Sequence, residues 1–342
     1  MTERCGESDG EMFSIAGERF CHLCGQRIAG QYVQYTTGLI VCQRCELTAP
    51  RCTRCRVPVQ AKGASRSRRG VLLCGSCARS VNHCASCAEP ILEVWYRFEE
   101  LLPAPEPRHF CAACVRDKPR CDLCRAPVGP RSVTLTDGQY RCGLCATDLV
   151  IGEPAIRLVY TDALEAMTGI VVASLRRVPP LEVVSRRRMG EIRRAYASDA
   201  GQTAGRMPAL PARGGPNAQT GDAVATGRHL LGFYVRSQGK PVIYVEAGLT
   251  RGLLLGTLAH ELGHAWQAEQ LGSSASSLDP LLSEGFAEWV AYTTLLARSL
   301  RTLAARARER QDDYGRGLNR FLEIERVRGR PAALQVARSG HF

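Results

Sequence analysis

The sequence predicts an α+β chain in two parts: small β-hairpin units that hold metal through cysteine, then a domain of helices with a short sheet. Three observations predict it. Sixteen of the seventeen cysteines fall into eight Cys-x-x-Cys pairs, all before residue 146. The gaps between successive pairs run 17, 6, 18, 6, 23, 6 and 17 residues, and such alternation marks a repeated unit. After Cys145 cysteine disappears, and long apolar segments with helix-start and helix-stop residues take over.

Residues 1–20 form an N-terminal tail whose Cys5 has no partner in the pattern. The tail has no basic segment followed by an apolar core, so no secretion signal is expected. The repeat then reads "CHLCGQRIAG…GLIVCQRC", "CTRCRVPVQ…GVLLCGSC", "CASCAEPILE…RHFCAAC" and "CDLCRAPVGP…GQYRCGLC". Each unit is a Cys-x-x-Cys knuckle, a short strand, a turn-rich excursion and a second strand running into another knuckle. A hairpin brings its two knuckles together, so each unit closes one tetrahedral four-cysteine zinc site. The expected groups are Cys21, Cys24, Cys42 and Cys45; Cys52, Cys55, Cys74 and Cys77; Cys84, Cys87, Cys111 and Cys114; and Cys121, Cys124, Cys142 and Cys145. Cross-bracing between alternate pairs is the alternative, and His22 and His83, beside ligand cysteines, are read as bystanders. Four thiolates leave no open position, so these zincs are structural and stand in for a core too small to form alone. The units group as 21–80 and 81–148.

Residues 149–342 form the second part. "DALEAMTGIVVASL" (162–175) reads as a helix, 180–185 as a strand and 186–197 as a helix. Residues 198–227, rich in Gly, Pro and Ala without apolar period, read as a long flexible loop. Two strands with a turn at "SQGKP" follow within 228–248. The next helix has Thr250 as N-cap and Gly272 as stop; the one after has Asp279 as N-cap and Pro280 at its first position. The basic remainder looks helical with breaks at Gly and Pro, its charges on a solvated face.

Within the first of these long helices stands "LAHELGHAWQ" (258–267). Positions four apart share a helix face with Cβ atoms about 5–6 Å apart, so His260 and His264 can grip one zinc. Glu261, one position round, can then sit beside a metal-bound water as general base without ligating the metal. A chance match occurs on the order of once in a hundred chains of this size, so the third ligand carries the weight. A metzincin would have glycine at 267 and histidine at 270; Gln267 and Gln270 exclude that class. "LLSEGFAEW" instead puts Glu284 and, one turn later, Glu288 on the next helix. This resembles the gluzincins, whose third zinc ligand is a glutamate on the following helix, and Ser-Glu-Gly-Phe-Ala-Glu is close to the Asn-Glu-Gly-Phe-Ala of zinc aminopeptidases. The resemblance assigns the third ligand to Glu284. Glu288 is then the acceptor for a ligand histidine N–H; the reverse assignment, and a purely structural zinc, are the alternatives. In gluzincins a strand before the zinc helix aligns substrate, which points to "VIYVEA" (242–247), and a Tyr or His stabilises the oxyanion, for which Tyr292, Tyr314 and His229 are eligible.

Two zinc units joined by a short spacer, then the same again, are similar to tandem LIM domains, with a longer spacer and all-cysteine ligands. LIM domains bind proteins, so residues 21–145 are expected to hold protein partners. With "VIYVEAGLTRGLLLGTLAHELGHAW" and "VPPLEVVSRRRMGEIRRA", the chain from about residue 20 resembles the LIM-peptidase family that limits organ growth in plants and its bacterial relatives. That resemblance implies a zinc peptidase acting on selected protein partners, with one catalytic and about four structural zincs. The ubiquitin-linked activation of the plant members is not carried over, because nothing upstream of the cysteines resembles a ubiquitin-interacting helix. A non-catalytic zinc-ribbon adaptor binding protein or nucleic acid is the competing reading.

The totals agree with an intracellular metal-binding chain. No apolar run reaches the ~20 residues of a membrane span. Unsecreted thiols in this number hold metal rather than disulfides, so a cytoplasmic location is expected. The formal charge of +12 does not argue for nucleic acid, because thiolate sites of about −2 each offset much of it.

Overall fold

The structure is a computed structural model that describes residues 10–13, 18–60, 63–98, 100–104, 106–171, 175–200, 231–237 and 240–342. It is α+β, with two compact units. One comprises residues 1–98, 105–120 and 126–130; the other comprises 99–104, 121–125 and 131–342.

The first unit contains three of the cysteine hairpins. Strand β1 (Gly10–Phe13) pairs antiparallel with β2 (Tyr32–Tyr35), which pairs with β3 (Ile40–Cys42). The tail therefore supplies a strand that the cysteine pattern does not announce. The short helix α1 (Gln43–Thr48) follows; β4 (Ser65–Arg66), β5 (Leu72–Leu73) and α2 (Gly75–Ser80) repeat the plan, as do β6 (Trp95–Tyr96), β7 (Phe110–Cys111) and α3 (Ala112–Asp117). Cys42, Cys74 and Cys111 occupy the N-cap positions of these helices. The first knuckle of every hairpin, the fourth included, turns alike. The residue after its second cysteine has positive φ (Gly25 70°, Arg56 62°, Ala88 63°, Arg125 65°). Its N–H bonds back to the first cysteine's carbonyl at 2.7–2.9 Å. Three of the four are not glycine, a left-handed placement that costs about 1–3 kcal/mol each and persists only where surroundings enforce it. Cys21, Cys52, Cys55 and Cys77 join Ile28, Tyr32, Val41 and Leu73 in one small core.

The second unit opens with the fourth hairpin, β8 (Val133–Thr134), β9 (Tyr140–Arg141) and α4 (Gly143–Ala146). Helix α5 (Glu153–Val171) starts nine residues before the expected 162, because Ile156, Val159, Tyr160, Ala163, Met167 and Ile170 already follow one buried face and Pro154 is tolerated in a first turn. After β10 (Leu181–Val184), α6 (Arg186–Ala200) runs into the first three positions of the expected loop; residues 201–227 of that loop lie outside the described residues, as does His229. Strands β11 (Gly232–Ser237) and β12 (Lys240–Glu246) complete a three-stranded sheet of order β10-β12-β11, the first pair parallel and the second antiparallel. The helices α7 (Arg251–Leu271), α8 (Pro280–Ala297), α9 (Arg301–Glu309), α10 (Asp313–Arg328) and α11 (Arg330–Ser339) follow. Asp279 caps α8 through Leu281 N–H at 3.0 Å; Thr250 stands at the cap position of α7 without a side-chain capping bond.

Glycine decides how closely these helices approach. A Cβ on Gly263 of α7 would lie 2.8 Å from the Ala287 Cα on α8, and one on Gly285 of α8 would lie 2.5 Å from the Gly317 Cα on α10. The aromatic centre, Trp266, Phe286, Trp289 and Phe321, locks the same three helices together. No described helix is long and apolar enough to cross a membrane.

Candidate metal centres

The four expected cysteine groups are brought together hairpin by hairpin, each a set that could hold a metal ion, with sulfurs within 4.8 Å of one another. Cross-bracing is not what the fold makes. Sulfur separations are 4.0 Å (Cys24–Cys42), 3.8 Å (Cys55–Cys74), 3.9 Å (Cys87–Cys111) and 3.5 Å (Cys124–Cys142). A tetrahedron with zinc–sulfur bonds of about 2.3 Å has edges of about 3.8 Å. Disulfides are far shorter, about 2.05 Å between sulfurs. Burial opposes ionisation of Cys21, Cys52 and Cys84, yet backbone N–H groups of the knuckle and of the facing strand outweigh it, bringing these thiols to about 6, 7 and 7. His22 Nδ1 accepts the Ile40 N–H at 3.2 Å and belongs to no metal group.

A fifth group is His260, His264 and Glu284. Consecutive turns of α7 place the two Nε2 atoms 3.1 Å apart, and Glu284 Oε2 on α8 lies 3.2 Å from one and 3.4 Å from the other. Zinc bonds of about 2.0–2.1 Å in a tetrahedron require edges of about 3.3–3.4 Å, so the three donors already stand where such an ion needs them. Glu288 Oε2 instead meets the other nitrogen of His260, Nδ1, at 3.0 Å, where it can fix the ring from behind.

The electrostatics fit a cation. Burial disfavours charge on His260, but Glu284 and Glu288 more than offset it and raise its pKa to about 10. Burial pushes Glu284 upward too, and the two imidazoles override it, holding the carboxyl well below its usual range. The same field that would keep a proton on His260 would hold a divalent ion. Glu261 joins neither histidine; its Oε2 accepts the Tyr234 N–H of β11 at 2.7 Å, and burial raises its pKa. Gly232 makes room for it, since a Cβ there would stand 2.9 Å from Glu261 Oε1.

The fold brings one of the eligible oxyanion residues, Tyr314, to this centre, and two further features escape sequence reasoning. Tyr314 of α10 stacks on His260 with centroids 5.5 Å apart, and burial with the Glu284 and Glu261 charges raises its pKa; Tyr292 instead packs at the edge of the core. Arg310, expected on a solvated face, is turned inward: its guanidinium carbon lies 4.2 Å from the Tyr314 ring centroid, its Nη2 2.7 Å from Asp312 Oδ2 and its Nη1 3.7 Å from Glu288 Oε1. The strand beside Glu261 is β11, not the expected 242–247: β12 is the central strand, with both edges occupied, and among the described residues β11 is the edge strand next to α7. Alternation cannot tell a central strand from an edge strand, which is why the sequence misplaces it.

Comparison with protein-family models, with curated proteins and with solved structures returns no match for this chain.

Proposed function

We propose that the chain is a zinc-dependent peptidase of gluzincin type that hydrolyses peptide bonds in protein partners. The observation that carries this reading is the convergence of His260, His264 and Glu284 on one point at zinc-compatible separations, with the carboxylate of Glu261 alongside, held by the Tyr234 N–H and bonded to neither histidine. Zinc held there with an open fourth position would supply an activated water and polarise a carbonyl. Glu261, buried and with raised affinity for a proton, is the group that would take a proton from such a water and return it to the leaving amine. Glu288 holds His260 in the tautomer that presents Nε2. Tyr314, the eligible tyrosine nearest the centre, donates its hydroxyl to the oxygen that gains charge. The edge of β11 receives the substrate backbone as an added strand. The four cysteine sites are structural zincs, and the LIM-like hairpins of the first unit hold protein partners.

Glu261→Gln is the direct test. Peptide cleavage should vanish while zinc content, measured by elemental analysis, stays at that of the wild type. Unchanged cleavage in this variant would mean the activity is not the one proposed, and a wild type with no metal bound through His260 would leave only the adaptor reading.

A further inference from the structure

We infer that the fourth cysteine site works for the His260 centre, with Arg141 as the positioning residue that links the two. The fourth hairpin differs from the other three. All four of its cysteines are buried, whereas each other group leaves at least one partly or fully exposed. It also belongs to the same compact unit as α7 and α8.

Arg141 adjoins the ligand Cys142, and its side chain is 0% exposed. Its Nε donates to the Gly248 carbonyl at 2.8 Å, Nη2 to Gln139 Oε1 at 2.9 Å and Nη1 to the Tyr140 carbonyl at 3.1 Å. Asp122, inside the Cys121–Cys124 knuckle, accepts the Tyr140 N–H at 2.7 Å and Arg186 Nη1 at 2.6 Å. Arg186 in turn reaches Glu246, at the end of β12, at 3.4 Å. Leu135, from the hairpin tip, fills the space beside Gly248, which has φ +72° and where a Cβ would lie 2.3 Å from Leu135 Cδ1.

The hairpin thus grips the loop between β12 and α7 by its backbone, its glycine and its charge. Asp148 extends the grip by accepting the Arg251 N–H through its own carbonyl at 2.9 Å. His260 is nine residues further along a continuous helix, about 14 Å at 1.5 Å per residue. A site of four thiolates and one zinc carries about two negative charges, which a wholly buried guanidinium can compensate. Without metal nothing closes the two knuckles on each other, and the hairpin that holds Arg141 and Leu135 against Gly248 loses its frame. The loop it holds sets the start of α7 and, through β12 and β11, the strand facing Glu261.

The inference rests on the peptidase reading only for its consequence in catalysis; the test reads metal. Full-length chain loaded with cobalt(II) distinguishes thiolate sites, by their charge-transfer band, from the histidine–carboxylate centre. Cys21→Ser should lose one metal, and Cys142→Ser should lose two, the second from His260. Arg141→Leu should keep four thiolate sites and bind cobalt at His260 about 10–100-fold more weakly, with partial recovery in Arg141→Lys. Ile170→Ala, a truncation in the same core away from the loop, should leave the His260 affinity unchanged. Loss of one metal in Cys142→Ser, an unchanged His260 affinity in Arg141→Leu, or an equal loss in Ile170→Ala overturns the inference. Should Cys142→Ser fail to fold, the Arg141 and Ile170 variants decide. Cleavage that survives Glu261→Gln would end the peptidase reading without touching these metal counts.

Discussion

Replacing Gly263 by alanine tests how the His260 centre is assembled. Gly263 lies between the two histidines on α7, facing Ala287 of α8, the helix that carries Glu284 and Glu288. By helix propensity alone the change stabilises, by about 0.8–1 kcal/mol in a helix interior. Packing opposes it. The new Cβ would stand 2.8 Å from the Ala287 Cα and 3.3 Å from its Cβ, and a backbone atom cannot rotate aside. Restoring ordinary contact needs the helices to separate by about 0.8 Å, and such overpacking costs about 1–3 kcal/mol, so destabilisation wins. Ligand distances tolerate only about 0.2 Å, so Glu284 would be drawn out of reach of an ion held by the histidines. Gly256 is the internal control, two turns earlier on the same face. A Cβ there meets only Leu295 side-chain carbons at 3.4–3.7 Å, so Gly256→Ala should gain stability and keep its metal. Denaturant unfolding with zinc titration of both variants checks this. A Gly263→Ala chain that is as stable as Gly256→Ala and binds zinc through His260 like the wild type would refute the argument.

Glu288→Ala leaves His260 Nδ1 and Arg310 short of a partner, and zinc affinity at that centre should fall about 10–100-fold, with Glu288→Gln retaining most of it, both read by competition with a chelating dye. Asp312 is raised by burial and lowered further by the Arg310 guanidinium, so its net pKa is depressed. The stability it contributes is present at neutral pH and lost as acid takes the chain below the ordinary carboxylate range through that depressed value; Asp312→Asn should flatten this acid limb in urea unfolding. A strong chelator should unfold the cysteine hairpins of the first unit, whose small core counts Cys21, Cys52, Cys55 and Cys77 among its buried members, as read by loss of amide-exchange protection there.

What the sequence determined by itself was the chemistry of the donors. Cysteines three apart and histidines four apart meet through local backbone geometry, so the donor pairs were legible from spacing, with Glu284 named by resemblance and cross-bracing of the knuckles excluded only by the fold. Asp279 and Pro280 likewise mark the start of α8 by local bonding. The tertiary structure decided everything that depends on distance between elements. Glu284 and Glu288 share a face of α8, and only the approach of α7 at Gly263 decides that one meets the Nε2 and the other the Nδ1 of His260. Tyr314 and Arg310 reach the centre because α10 crosses α8 at the Gly285–Gly317 contact, and β12 is central because β10 and β11 claim its two edges. Cysteine content breaks after Cys145, yet the fourth hairpin belongs to the helical unit and holds the loop between β12 and α7 through Arg141 and Leu135. Periodicity records which way a side chain faces along its own element; which neighbour it meets is set by packing between segments far apart in the chain, and no local pattern encodes that.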